Sequence, residues 1–424
     1  MAFPSLSFPA STPLFPRAHV VLEYLNDYAR WFGLMEHVRL GRCVSSVRRR
    51  EGEGEGRWVV TTVATSVGGD GGEGREEEET AEFDLVVVCN GHYRVPFYPT
   101  PSIKGLAAWL HAGRASHSAY YRRPHAYAGT VLVIGGGPSG LDIVADVRGV
   151  VESVIHSING DVGEDVGNLK RRGRVVEFHE GGDGRVTFED GTSESGIAHC
   201  ILATGYEFSF PFLHDASDVM VCGVPPPAPA IPRELYNTRH SIFPLAKHIF
   251  PIHAGREFPP WSLAFMGRVL TRVAPFPVFE AQARAVVRVF GEPRLLDAEM
   301  EEGEFMERRE VLRERYGEGM GAITKGWHRL KPLDQYGYRK ALDAISGSRV
   351  GVGEWEEEMY VKRVVLREMW VELEKRGEGE EWVGGVGEQN RDGEEGKMEW
   401  VAMMKTMLKT CARGNEEGKL GVPA

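Results

Sequence analysis

The sequence predicts an α/β fold built on parallel sheet, and three stretches carry that reading. The first is Phe83-Asp-Leu-Val-Val-Val-Cys-Asn-Gly91, a short β-branched run that stops at Asn90 and Gly91. The second runs from 130 to 157, where Thr-Val-Leu-Val-Ile passes through a glycine-rich turn into helix-like sequence and then into Ser-Val-Ile-His-Ser. The third is the apolar run at 198–203, closed by Thr204-Gly205. Continuous rather than alternating hydrophobicity marks strands covered on both faces. Strand, turn, helix, strand in the second stretch is the start of a βαβ crossover.

The remaining elements follow from periodicity. Between 17 and 32, Val21, Tyr24, Leu25, Tyr28 and Phe32 recur at three- and four-residue spacing, an amphipathic helix ended by Gly33. Strand-like sequence at 38–47 and 58–63 flanks the Glu-Gly repeat at 51–56, and the Gly- and Glu-rich segment at 68–80 reads as an extended loop. Residues 174–190 resemble a hairpin, 224–232 is a proline-rich surface excursion, 262–267 is strand-like and 279–290 helix-like. Beyond 347 the chain turns Glu/Gly-dense, with helical stretches at 359–375 and 398–409. That tail is expected to be a partly disordered extension outside the core.

Composition bounds the function. A chain of 424 residues holds two or three domains, and 42% hydrophobic with 26% charged residues describes a globular protein with a substantial core. A formal net charge of −11 argues against a nucleic-acid partner, which needs a basic face to displace counterions. Cys43, Cys89, Cys200, Cys222 and Cys411 form no C-x-x-C pair, so neither a metal knuckle nor a local redox pair is expected. No apolar run approaches the roughly 18 residues of a membrane span. The first residues lack the early positive charge of a signal peptide, so a cytoplasmic location is expected. Oligomeric state is not legible.

The motif with the most chemistry is Gly135-Gly136-Gly137-Pro138-Ser139-Gly140, in the strand–helix context that a G-x-G-x-x-G fingerprint requires. Gly135 permits a tight turn, Gly137 lets backbone approach a pyrophosphate, and Gly140 lets helix and strand pack closely. The helix opens at Pro138, and the N–H groups of Ser139 and Gly140 then face the phosphates with the positive end of the helix dipole. NAD-specific units place Asp or Glu at the end of the second strand; here His156-Ser157-Ile158-Asn159 stands there, with no acid before Asp161. NADP is therefore favoured. Ser157 can hydrogen-bond a 2′-phosphate, and Lys170, Arg171 and Arg172 either supply charge or form an ordinary solvated cluster.

His111-Ala-Gly113-Arg-Ala-Ser-His117-Ser-Ala-Tyr-Tyr121-Arg122 resembles the F-x-G-x-x-x-H-x-x-x-(F/Y) signature of the flavin-containing monooxygenases, with His111 where Phe is usual. Residues 86–93, Ile201-Leu-Ala-Thr-Gly-Tyr206, Lys247-His-Ile-Phe-Pro251, 262–267 and 276–284 are similar to further segments of that family. The resemblance runs from about residue 1 to about 345. It implies two dinucleotide-binding (Rossmann-like, three-layer) domains, the first incomplete at its N-terminus. The divisions expected are 1–112 for the partial FAD domain, 113–235 for the NADP domain, 236–346 for the return to the FAD domain, and 347–424 for the acidic tail.

The resemblance further implies FAD and NADP as cofactors. Reduced flavin adds O2 as a C4a-hydroperoxide, which a soft sulfur or nitrogen nucleophile of a small-molecule substrate attacks. Such chemistry belongs to the cofactor and needs no side-chain acid, nucleophile or metal. His117 is then either a buried histidine that positions backbone or a direct cofactor contact. Asn90, Gly91, Thr204 and Gly205 mark ligand-facing strand ends. The family's first glycine fingerprint has no counterpart here, since Met1-Ala-Phe-Pro already resembles an internal family stretch; the expectation is that this polypeptide alone binds FAD poorly. Two other readings are a disulfide-reductase relative, which the cysteine spacing opposes, and a non-catalytic NADP-binding remnant.

Overall fold

The computed structural model describes residues 2–50, 56–65, 77–160, 163–214, 219–227, 231–252, 258–270, 274–389, 391 and 394–416. Much of the two Glu/Gly segments expected as loops, and part of the proline-rich excursion, lie outside these. The chain divides into two compact units, Met1–Asn90 with Phe210–Ala424, and Gly91–Ser209.

The larger unit opens with helix α1 (Ala18–Trp31), which turns its Tyr24 into the interior. Strands β1 (Arg42–Arg50), β2 (Arg57–Ala64) and β3 (Glu78–Phe83) form an antiparallel sheet in that order. The sequence reads as loop as far as residue 80, so β3 is a difference. Its glutamates explain why it looks like a loop and pairs as a strand: Glu79 and Glu82 take ion pairs from Arg39 and Arg50 at 2.7 and 2.6 Å, so the edge is charged yet laddered. Strand β4 (Val86–Val88) is the short core of the apolar run at 83–91.

The smaller unit carries helix α2 (Leu106–His111), strands β5 (Ala115–His117) and β6 (Thr130–Ile134), helix α3 (Pro138–Val147), and strands β7 (Ser153–Ser157), β8 (Leu169–Arg172), β9 (Val175–Phe178), β10 (Val186–Phe188) and β11 (Ile197–Leu202). The order β5-β11-β6-β7-β8 makes a five-stranded sheet whose pairings are all parallel. Val131, Leu132 and Val133 of β6 are fully buried on both faces, as the unbroken apolar run requires. The hairpin expected at 174–190 is β9 against β10.

Unit boundaries fall at 90/91 and 209/210 rather than at 112/113 and 235/236. Packing gives the reason. Lys104 N donates to Val176 O at 3.2 Å and Phe178 N to Lys104 O at 2.8 Å, while Leu106 and Trp109 of α2 are buried in the same core as Phe178. Phe210 instead stacks edge-on against Phe265 of the larger unit, at 5.8 Å.

Returning to the larger unit, β12 (Leu263–Phe265) pairs parallel with β4. Helices α4 (Pro275–Gly291), α5 (Ala298–Tyr316), α6 (Met320–Trp327) and α7 (Asp334–Ser346) bury a core around Phe243, Phe250, Phe305 and Trp327. Beyond residue 347, where an extension outside the core was expected, stand α8 (Glu354–Val361), α9 (Arg363–Arg376), α10 (Gly379–Val383) and α11 (Glu394–Glu416). Met359, Leu366, Met369, Trp370 and Met407 form a buried cluster there, with Leu14 and Phe15 packed against it. The stretch is therefore part of the larger unit; residues 417–424 lie outside the described ones.

Four histidines whose pKa is depressed set an acid limit. His328 Nε2 lies 2.9 Å from Ile242 O and its Nδ1 3.1 Å from His248 Nδ1. Burial holds His248 well below the usual 6.5 and pushes His240 down to about 4; it also lowers His117 and His199. Groups whose folded-state pKa is depressed contribute stability that is fully present above the unfolded value and is lost as pH falls through the folded one. Thermal melts should therefore hold steady above about pH 6.5 and drop on acidification toward pH 4. A melting temperature flat over that interval would contradict this.

Candidate functional site

The sites expected from sequence converge on the carboxyl edge of the smaller unit's parallel sheet, where ligands of such sheets bind. His117 ends β5, Thr204 and Gly205 follow β11, Gly135 follows β6, and Ser157 ends β7. Asn90 lies in the other unit, exposed just past the end of β4, and Gly91 opens the smaller unit at φ 73°.

Each glycine of the turn has its own reason. Gly135 sits at φ 126°, and a Cβ there would stand 2.2 Å from Ala203 O. Gly140 is buried under the same turn, where a Cβ would come within 2.0 Å of Gly135 O. At Gly137 a Cβ would meet nothing within 4 Å, so the space beside it is open. Gly136, Gly137, Pro138 and Ser139 are exposed. Gly137 caps α3 with extended backbone and Pro138 takes the first helical position, which leaves the following N–H groups of the first turn directed outward. The arrangement is a concave set of donors at a positive helix end, suited to a pyrophosphate.

Supporting residues lock that shape. His156, which sequence reasoning passed over, places Nε2 2.9 Å from Gly135 O and is 4% exposed. The turn carbonyl is thereby fixed from the second strand; a histidine one residue before a strand end gives no signal by itself. His117 is fully buried. Ala119 N–H donates to its Nδ1 at 3.0 Å, which puts the ring proton on Nε2, and that atom donates to Gly205 O at 3.0 Å. Both nitrogens being taken by backbone, His117 acts as a brace between β5 and the Gly205 turn. Thr204 Oγ1 donates to Phe97 O at 2.6 Å, and Phe97 N to Gly205 O at 2.9 Å. Tyr121 of the signature donates its hydroxyl to Asp146 of α3. Ser118, Tyr121, Ser139 and Asp142 line a hollow of about 560 Å³ beside that helix.

The groups expected around a 2′-phosphate are mostly engaged elsewhere. Ser157 is 1% exposed and its hydroxyl donates to Gly173 O at 2.8 Å. Lys170 and Arg172 pair with Glu194 at 2.9 and 2.6 Å, and Arg172 also with Asp165 at 3.0 Å. Arg171, on β8 in register with His156 of β7, makes no ion pair among the described residues.

A five-stranded parallel sheet with a glycine turn against a helix N-terminus defines a dinucleotide-binding module. The family model described as flavin-binding monooxygenase-like matches residues 1–164 and 164–328. The chain belongs to this family of oxidoreductases. It is 29% identical over 357 residues to flavin-containing monooxygenase FMO GS-OX-like 4 of Arabidopsis thaliana, covering 82% of this chain and 69% of that protein. With FMO GS-OX-like 2 of the same plant it shares 32% over 304 residues, 68% of this chain and 56% of the relative. Human flavin-containing monooxygenase 2 is 26% identical over 362 residues, with 68% and 61% covered. The chain thus spans between about half and two thirds of these relatives' length. Among solved structures, S-allyl-L-cysteine S-oxygenase from Allium sativum superposes with a TM-score of 0.64 at 25% identity, covering 96% of this chain and 82% of that one. Tmm from Pelagibacter sp. strain HTCC7211 gives 0.62 at 19% identity, covering 88% and 74%, and shares the fold.

Members of the family use FAD and NADP. The turn at 135–140 fits the phosphates of NADP, with the open space beside Gly137 as the observation that carries the fit. For FAD the described residues offer the parallel pair β4–β12 with Asn90 beyond it, and no second G-x-G-x-x-G turn follows a parallel strand among them. No helix among the described residues is long and apolar enough to cross a membrane.

Proposed function

We propose that this chain binds NADPH for a flavin-dependent monooxygenase that passes one oxygen atom of O2 to the sulfur or nitrogen of a small nucleophile. The observation that carries this reading is the glycine cradle at 135–140 standing directly after the signature His117–Tyr121. When bound, FAD supplies the redox chemistry that links NADPH oxidation to O2. The chain's own residues bind and orient. Gly135 and Gly137 admit the pyrophosphate, the first-turn N–H groups of α3 hold it, and His156 keeps the Gly135 carbonyl turned away. Arg171 is the guanidinium left to meet a 2′-phosphate, which favours NADPH over NADH by charge. Sulfur is supported as the acceptor by the likeness to a sulfur-oxygenating enzyme.

NADPH oxidation by the purified chain, with FAD added and a thioether present or absent, tests the reading. Oxidation that rises with thioether and yields its sulfoxide is the expected result. NADPH binding with no thioether-dependent oxidation would favour instead a nucleotide-binding protein without oxygenase activity.

A further inference from the structure

Residues 2–16 and helices α8, α9 and α11 enclose a cavity of about 660 Å³ in the larger unit, within the size range of small-molecule sites. It shares no residue with the glycine cradle. The N-terminal strip is tied to the tail by backbone: Ser7 N donates to Arg391 O at 2.7 Å and Ser11 N to Val386 O at 2.9 Å, while Gly385 N donates to Ser11 Oγ at 3.1 Å. The walls are apolar and aromatic, formed largely by Phe8, Phe15, Trp355, Met359, Trp400 and Met404.

Charge at the lining is one-sided. Arg339, Arg363, Arg367 and Lys397 line the cavity against a single carboxylate, Glu356, and that carboxylate is already paired bidentately with Arg339. Arg363 and Arg367 stand one helical turn apart on α9, so they share a face. The Arg363 guanidinium lies 4.1 Å from the Tyr360 ring centre and donates to Tyr360 O at 2.7 Å. That of Arg367 lies 5.0 Å from the Phe15 ring centre. Neither makes an ion pair among the described residues, in a chain with 61 acidic residues and net charge −11. Stacking on aromatic faces holds both guanidiniums in place without neutralising them.

We propose that this cavity binds an amphipathic monocarboxylate, an aliphatic or aromatic acid whose apolar body lies between Phe8 and Trp400 and whose carboxylate is held by Arg363 and Arg367. Apolar walls drive burial of the body, and two preoriented guanidiniums discriminate a carboxylate from a neutral or cationic head group.

The test titrates the full chain with dodecanoate, dodecanol and dodecyltrimethylammonium below micelle formation, reading the fluorescence of Trp355 and Trp400. Dodecanoate is expected to bind saturably and at least about tenfold more tightly than the other two. Arg367→Glu, at an exposed position, is expected to remove that preference while leaving the melting temperature unchanged. Arg367→Lys should keep most of it, and Met404→Trp should block all three probes by filling the space. Equal affinity for the three head groups, dodecanoate binding unaltered by Arg367→Glu, or no saturable signal from dodecanoate would each overturn the proposal.

Discussion

Replacing Gly140 by alanine is expected to weaken NADPH binding by about 100-fold or more, equivalent to roughly 2.7 kcal/mol. The added Cβ would lie 2.0 Å from Gly135 O and 3.4 Å from Ala203 Cβ, and the nearer partner is backbone that no rotamer change can move. Helix α3 must back away from the turn, taking its first-turn N–H groups away from the phosphates. The melting temperature should fall as well, because the close helix–strand packing is lost. Gly137→Ala separates the two effects. It has ordinary φ of −77° and open space around it, so stability should change by less than about 0.5 kcal/mol while the methyl obstructs the ligand. Isothermal titration with NADPH beside a thermal melt reads both variants; undiminished affinity in Gly140→Ala would place the phosphates elsewhere.

Trp370→Ala is expected to destabilise the larger unit by about 3–5 kcal/mol, the range for truncating a buried tryptophan. Trp370 is 1% exposed and sits in the cluster that ties α9 and α11 to Leu14 and Phe15. Total stability of a folded protein is only about 5–15 kcal/mol, so the change removes a large part of it. Denaturant melts of wild type and variant measure it directly. A shift below about 0.5 kcal/mol, the value for a surface position, would mean that the tail is an appendage after all.

These two experiments bracket what the amino-acid order made legible. The cradle was readable because its constraints are local. A β-branched run, glycines at fixed offsets and a change of period from strand to helix all fall within 130–157; the Ala203 carbonyl that requires Gly135 is the part that lies outside it. The tail's helices are legible in the sequence, but their burial is not, because charge dominates their composition. In α9, Leu366, Met369, Trp370 and Leu373 recur at three- and four-residue spacing and are buried, but the Arg, Glu and Lys between them dominate the composition. In α5, Phe305 and Leu312 are buried among a helix of mostly charged residues, together with Glu301, which pairs with Lys247 at 3.2 Å. Strand β3 was read as loop for a similar reason, since its glutamates are matched by arginines distant in sequence. Unit boundaries are non-local: 91–112 joins the smaller unit through β9, the core around Phe178 and the bonds of Phe97 to Thr204 and Gly205. Ser157 shows the limit at the site itself. Its residue type suits a phosphate, but a backbone carbonyl sixteen positions on takes the hydroxyl.

Side-by-side titration of the full chain with NADPH and NADH tests the central claim most directly. One NADPH per chain, bound at least about tenfold more tightly than NADH and losing that margin in Arg171→Ala, is the predicted result. An absence of measurable affinity for either nucleotide would contradict the account.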